Sequence, residues 1–146
     1  MNRKKSLLVL AGIIFISTAL ILILGQGTSN AQEECRMIKI SGQPGGQVAL
    51  KLEPDKVLVK KGTCVIWVNF ARTDEVRVEF REGKVCEDAT RAPVGFSLDA
   101  KNCYVTNFIP FGATSSLLFN VPGEFKYVLR AGVEKLNGKI IVTATK

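Results

Sequence analysis

Histidine is absent from all 146 residues of the chain. Without an imidazole there can be no Cys/His zinc site, no CxxCH haem attachment and no histidine-activated nucleophile, so Ser97, Ser115 and Ser116 lack the usual base. The four cysteines form no CxxC pair. Gly42, Gly45 and Gly46 lead into a strand-like segment rather than a helix, which argues against a phosphate-cradling glycine loop. Carboxylates occur as sequence neighbours, Asp74 with Glu75 and Glu87 with Asp88, in segments that read as solvated surface and not as an acid/base couple. With no organised nucleophile, base or metal set, the chain is expected not to be an enzyme and to carry no cofactor. Amphipathic helical stripes, internal repeats and low-complexity tracts are missing as well.

What the chain does have begins with one long apolar run. Arg3, Lys4 and Lys5 precede LLVLAGIIFISTALILIL at 7–24, an uncharged stretch that as a helix reaches about 27 Å and nearly spans a bilayer. It is apolar all round, which argues against a buried soluble helix. GQGTSNAQ follows, with Ser29 and Ala31 in the spacing a signal peptidase accepts. The features fit a signal peptide cleaved after Ala31 and an uncleaved membrane anchor alike. In either case the basic flank keeps the N-terminus cytoplasmic and sends residue 32 onward across the membrane, to the periplasm or cell surface. Gln32, Glu33 and Glu34 before Cys35 argue against a lipoprotein.

Beyond residue 31 lie 17 of the 20 basic residues and all 13 acidic ones, a mild excess of four positive charges. In the sequence they are intermixed, with no basic stripe and no interleaved aromatics, so no nucleic-acid partner is expected. Cys35, Cys64, Cys86 and Cys103 all fall in this exported part, where thiols pair. Of three possible pairings, the local one joins Cys86 to Cys103, closing a loop of about 18 residues for on the order of 3 kcal/mol, and leaves Cys35 with Cys64. A thiolate metal site from Cys86 and Cys103 with Glu87, Asp88 or Asp99 is the rival, disfavoured because structural thiolate sites take four N or S ligands.

From Val48 on, short β-branched runs alternate with turn signals. EVRVEFR at 75–81 is the clearest strand, with Val76, Val78 and Phe80 alternating against charges. VALKL, VLVK, CVIWVNF, CYVT, SSLLF, EFKYVLR and KIIVTAT read likewise. Turns are expected at Lys61-Gly62, Pro110-Phe111-Gly112, Pro122-Gly123 and Asn137-Gly138. Residues 82–102 read as a loop with at most one helical turn, and Trp67 as core. The expected organisation is a signal peptide or anchor at 1–31, a leading segment at 32–47 and one domain at 48–146. The fold class is all-β, an antiparallel-rich sandwich.

Val57-Leu58-Val59, Lys61-Gly62-Thr63, Val65-Ile66-Trp67-Val68-Asn69, Pro122-Gly123-Glu124-Phe125-Lys126-Tyr127 and Gly138-Lys139-Ile140-Ile141-Val142 occur in an order and spacing that resemble the cupredoxin family, the plastocyanin- and amicyanin-like blue-copper proteins. An immunoglobulin-like sandwich is the structural rival, since valine strands and glycine turns occur there too. The resemblance implies a Greek-key β-sandwich of about seven to eight strands, here preceded by one N-terminal hydrophobic helix. It also implies a copper held by a His after the Trp-x-Asn strand and by a Cys, a His and a Met in the last loop. Matched onto this chain, the last three fall on Leu129, Gly132 and Leu136, and the first on Val76 or Asp74. None can supply such a ligand. The expectation is a scaffold with its type I copper site lost, two leucines closing the end as core for roughly 1.5–3 kcal/mol each.

The functional reading that follows is an exported, non-enzymatic module that binds an envelope protein, a redox complex being one class of partner. Contacts are expected from the Cys86 to Cys103 segment, through Arg91, Val94 and Phe96, unless Phe96 and Val94 fold back as a lid. A second contact region is the loop end at Arg130, Val133 and Glu134. The competing class is an unconventional redox or copper protein that uses cysteine ligands or a dithiol switch.

Overall fold

The computed structural model describes residues 35–144 except 74, 82, 83 and 102, and gives no side-chain detail for 84–86. The apolar run at 7–24 therefore lies outside the described residues, among which no helix is long and apolar enough to cross a membrane. Residues 33–146 form a compact unit by themselves.

Eleven strands and one short helix are present among the described residues. The strands are β1 (Arg36–Gly42), β2 (Lys51–Glu53), β3 (Lys56–Lys60), β4 (Thr63–Ala71), β5 (Val76–Phe80), β6 (Thr90–Val94), β7 (Phe96–Leu98), β8 (Tyr104–Thr106), β9 (Thr114–Phe119), β10 (Gly123–Ala131) and β11 (Glu134–Thr143). Helix α1 covers Lys84–Ala89. One sheet has the order β2-β1-β4-β9-β6 and the other β3-β11-β10-β5-β8-β7. The β1/β4 and β3/β11 pairs are parallel, and the remaining pairs antiparallel.

Period-two patterning produces this arrangement. In β5 Val76, Val78 and Phe80 are buried, and in β10 Phe125, Tyr127, Leu129 and Ala131 are, while their neighbours along each strand face outward. Trp67, Phe80, Phe119, Phe125 and Tyr127 fill the space between the sheets. Trp67 meets Tyr127 at 5.4 Å and Phe80 at 5.8 Å between ring centroids, both edge-on, a geometry that adds about 0.5–1.5 kcal/mol per pair beyond burial.

Four expectations are corrected. The domain starts before Val48: β1 pairs along its whole length with β4 and buries Ile38 and Ile40, so the supposed leading segment is a central strand. The strand count exceeds seven to eight because β1 joins the sandwich and because 82–102, expected as a loop, contains α1, β6 and β7. VALKL contributes only Lys51 and Leu52 to β2. Asn137-Gly138 makes no turn and runs straight through β11. Gly138 lies opposite Tyr127, whose ring an added Cβ would strike, so the glycine there makes room for it. The chain turns instead at Gly132-Val133, where φ of +58° at the first turn residue suits glycine in a type II′ hairpin.

Candidate functional site

The loops at 43–50, 72–75, 107–113 and 132–133 gather at one end of the sandwich. Asn69, fully buried near the end of β4, holds two of them together. Its Nδ2 donates to the carbonyls of Thr73 and Ile109, both at 2.8 Å, and its Oδ1 accepts from the Ala71 amide at 2.8 Å. Its main chain is paired as well, donating to the Ala113 carbonyl and accepting from Gly112. Every polar group of a residue that could not be buried unpaired is thus satisfied, and four of its five hydrogen bonds clamp the 72–75 and 107–113 loops. A third loop is tied in where Glu134 accepts from the Gly45 amide, and Arg72 donates its amide to the Gly42 carbonyl.

Apolar side chains stand outward on this clamped frame. Val133 is 94% exposed, Phe111 60% and Phe108 56%. The Arg77 guanidinium lies over the Phe108 ring at 4.6 Å, which fixes one aromatic without covering it. A shallow hollow of about 320 Å³ opens beside the tip, bounded by Pro44, Arg72, Thr73, Glu75, Gly132 and Val133.

The positions matched to copper ligands are accounted for by strand pairing. Leu129 and Leu136 sit directly opposite each other in β10 and β11, Leu129 fully buried and Leu136 packed against the core. Val76 is fully buried beside Ala131, and Gly132 belongs to the hairpin turn. Asp74 lies outside the described residues. With β10 and β11 paired down to Ala131 and Glu134, no loop is left between them to carry three ligands. Cys35 and Cys64, at the starts of β1 and β4, lie at the opposite end, and Cys103 lies beside Phe80 and Arg81, away from the hairpin tip. The donors at the loop end are carbonyls, amides and a carboxylate, which do not fit a type I copper centre. Among the described residues no three His, Cys, Asp or Glu side chains converge as a metal site, and Asp99 is occupied in accepting the Lys101 and Cys103 amides.

Of the expected contact residues, Val133 and Glu134 are brought together at the tip. Arg130 is elsewhere, half-buried on the outer face of β10 and 2.6 Å from Glu79 Oε2. Arg91 and Val94 are exposed on β6, an edge strand. Phe96 is a lid: it packs on Trp67 at 5.4 Å and on Tyr104 at 6.3 Å. Cys86 lies in α1, its side chain outside the described set. The sequence reading missed Phe108 and Phe111. Their signal was two phenylalanines within FIPFG, a Pro/Gly segment without the alternation that would bury them.

No protein-family model and no curated protein matches the chain. Solved structures do. A reduced single-site variant of amicyanin superposes with a TM-score of 0.51 at 16% identity, covering 79% of this chain and 87% of its own. An oxidised amicyanin variant gives 0.50 at 17% identity over 75% and 82%, and a variant in its reduced Cu(I) form gives 0.50 at 15% over 79% and 88%. The chain has a cupredoxin-like fold.

Proposed function

We propose that the chain is an extracytoplasmic, non-enzymatic, cupredoxin-like module without type I copper that binds a protein partner through its loop end. The observation that carries this reading is the combination of a clamped frame with outward Val133, Phe108 and Phe111, in a chain with no imidazole at any position. Exposed aromatics fixed on a rigid support are what interface anchors require, because little side-chain entropy is lost when they are covered. The apolar run at 7–24 supports placement outside the cytoplasm.

The test couples metal analysis to partner capture. Residues 33–146, purified without chelators, are expected to bring down no stoichiometric copper and to show no thiolate-to-copper absorption. Cross-linking in the native envelope is expected to yield one stoichiometric partner with the wild-type chain and none with a Phe108→Ser, Val133→Ser double variant of unchanged fold. Stoichiometric copper, or a partner indifferent to both substitutions, would favour the cysteine-based redox reading instead.

A further inference from the structure

The lysines and arginines that look dispersed along the sequence collect on one surface. Outward positions on β3, β11, β10 and β5, together with Arg81 just beyond β5, carry eight cations against two carboxylates, Glu79 and Glu124. The rest of 32–146 holds nine cations and eleven carboxylates, so the positive excess belongs to this face. Register explains the gathering. Lys56, Lys139 and Lys126 are directly opposed across β3, β11 and β10, and extending the β10/β5 register by one residue sets Arg81 beside Lys126. Four residues further along the strands, roughly 13 Å away, Lys135, Arg130 and Arg77 form a second row, with Asn137, Val128 and Glu79 in register between the two.

Like charges placed directly opposite destabilise a sheet, so such rows call for a compensating role. Glu124 offsets part of the first row, 2.8 Å from Lys139 and 3.7 Å from Lys126, and the Lys139 hydrogen bond holds its carboxyl below the usual range. Lys56, Lys126, Lys139 and Arg81 surround a hollow of about 580 Å³ with Val128 and Asn137 in its lining and Asp55 as its acid. Beside it Leu58 is 63% exposed between Lys56 and Lys60.

We propose that this outer face docks on an anionic lipid bilayer, phospholipid phosphates entering between the cation rows. The charge is spread over a broad sheet rather than set in a cleft, which suits a planar array of mobile anions. No aromatic side chain stands among the outward positions of these four strands to stack nucleic-acid bases, Phe108 at their margin already carries the Arg77 guanidinium on its face, and a sheet face presents no element that enters a duplex groove. Only residues 25–34 separate the apolar run from Cys35, a reach of at most about 36 Å, so a chain retained by that run keeps the face within range of a membrane. The first cation row and its hollow share no residue with the loop end, so the proposal does not rest on the loop-end reading.

The test is co-sedimentation of residues 33–146, which contain every described strand, with phosphatidylcholine vesicles with or without phosphatidylglycerol. Binding is expected only with phosphatidylglycerol, and it disappears as salt rises from about 0.1 M to about 1 M and the Debye length shrinks from about 10 Å to about 3 Å. Replacing Lys56, Lys126 and Lys139 with Gln weakens it about 100-fold, each near-surface cation accounting for about fivefold. Lys39→Gln with Lys51→Gln, on the other sheet, leaves it unchanged. Should the triple variant misfold, the single Lys126→Gln change at a well-exposed side chain reads out the fivefold step. Equal binding to neutral vesicles, undiminished binding by the folded lysine variants, or binding to duplex DNA or polyglutamate without binding to phosphatidylglycerol overturns the proposal.

Discussion

Asn69 is the residue on which the loop end depends, and its replacement by leucine tests that dependence. Leucine keeps most of the volume but leaves the Ile109 carbonyl and the Ala71 amide buried without the partners seen at 2.8 Å, while the Thr73 carbonyl is only part-buried and can turn to water. Two buried orphans at about 1–3 kcal/mol each predict a loss of about 4 kcal/mol and, for a domain of this size, a fall in Tm of roughly 16 °C. Urea and thermal unfolding of 33–146 followed by circular dichroism measure both. Asn69→Asp sharpens the test through pH. A buried carboxylate facing two carbonyls is disfavoured, so the folded pKa is raised above the unfolded value near 3.9. The variant is therefore best below pH of about 4, where the carboxyl is protonated in both states, and loses stability relative to wild type as pH climbs through the folded pKa. The leucine variant shows no such slope. A leucine loss under about 1 kcal/mol, or an aspartate deficit that stays flat to about pH 7, refutes the clamp.

Four further outcomes are expected. Burial raises the Tyr127 phenol from 10.0 to about 12, the neighbouring Trp67 indole lowering it and Asp55 raising it. Its contribution to stability is therefore complete below pH 10 and is lost as pH rises toward 12, a step visible as phenolate absorbance and absent from Tyr127→Phe. Trp67 Nε1 approaches Tyr127 Oη closely enough to favour the phenolate, but neither atom reaches full hydrogen-bond geometry among the described residues, so Tyr127→Phe costs less than about 1 kcal/mol in urea unfolding near neutral pH. Gly138→Ala drives a methyl into the Tyr127 ring and is expected to cost about 1–3 kcal/mol, with the tyrosine near-ultraviolet signal altered; an unchanged midpoint would contradict the close approach. Extending the β1/β4 register back by one residue sets Cys35 opposite Cys64, a separation that a disulfide can bridge. Oxidised protein is expected to yield that linked peptide by mass spectrometry and to lose about 3–4 kcal/mol on reduction, whereas a different linkage would show that the register does not direct pairing.

Much of the fold was legible in local pattern. The alternation in EVRVEFR and EFKYVLR assigned inner and outer faces correctly, and Trp67 read as core because it lies mid-strand among β-branched residues. Turn position was less legible. Asn137-Gly138 carries the stronger hairpin signal, yet Gly132-Val133 makes the turn, because Gly138 is needed opposite a tyrosine eleven residues earlier. RMIKI reads as a short extended stretch, but its place in the domain was hidden for a similar reason: β1 is stabilised by β4, and no property of RMIKISG alone announces that pairing.

The sequence by itself determined the face on which each strand residue lies, since successive side chains alternate whatever the partner strand. It also determined the chemistry that no fold could supply, because a chain without histidine cannot present an imidazole to a metal or a nucleophile. The tertiary structure alone decided which residues became neighbours. Lys56, Arg81, Lys126 and Lys139 are far apart in the chain and form one row only because pairing register joins β3, β11, β10 and β5. Likewise Asn69 acquires its clamping role only when Thr73 and Ile109 arrive from two different loops. Alternation is a property of the local backbone, whereas register is settled by packing across the whole sandwich.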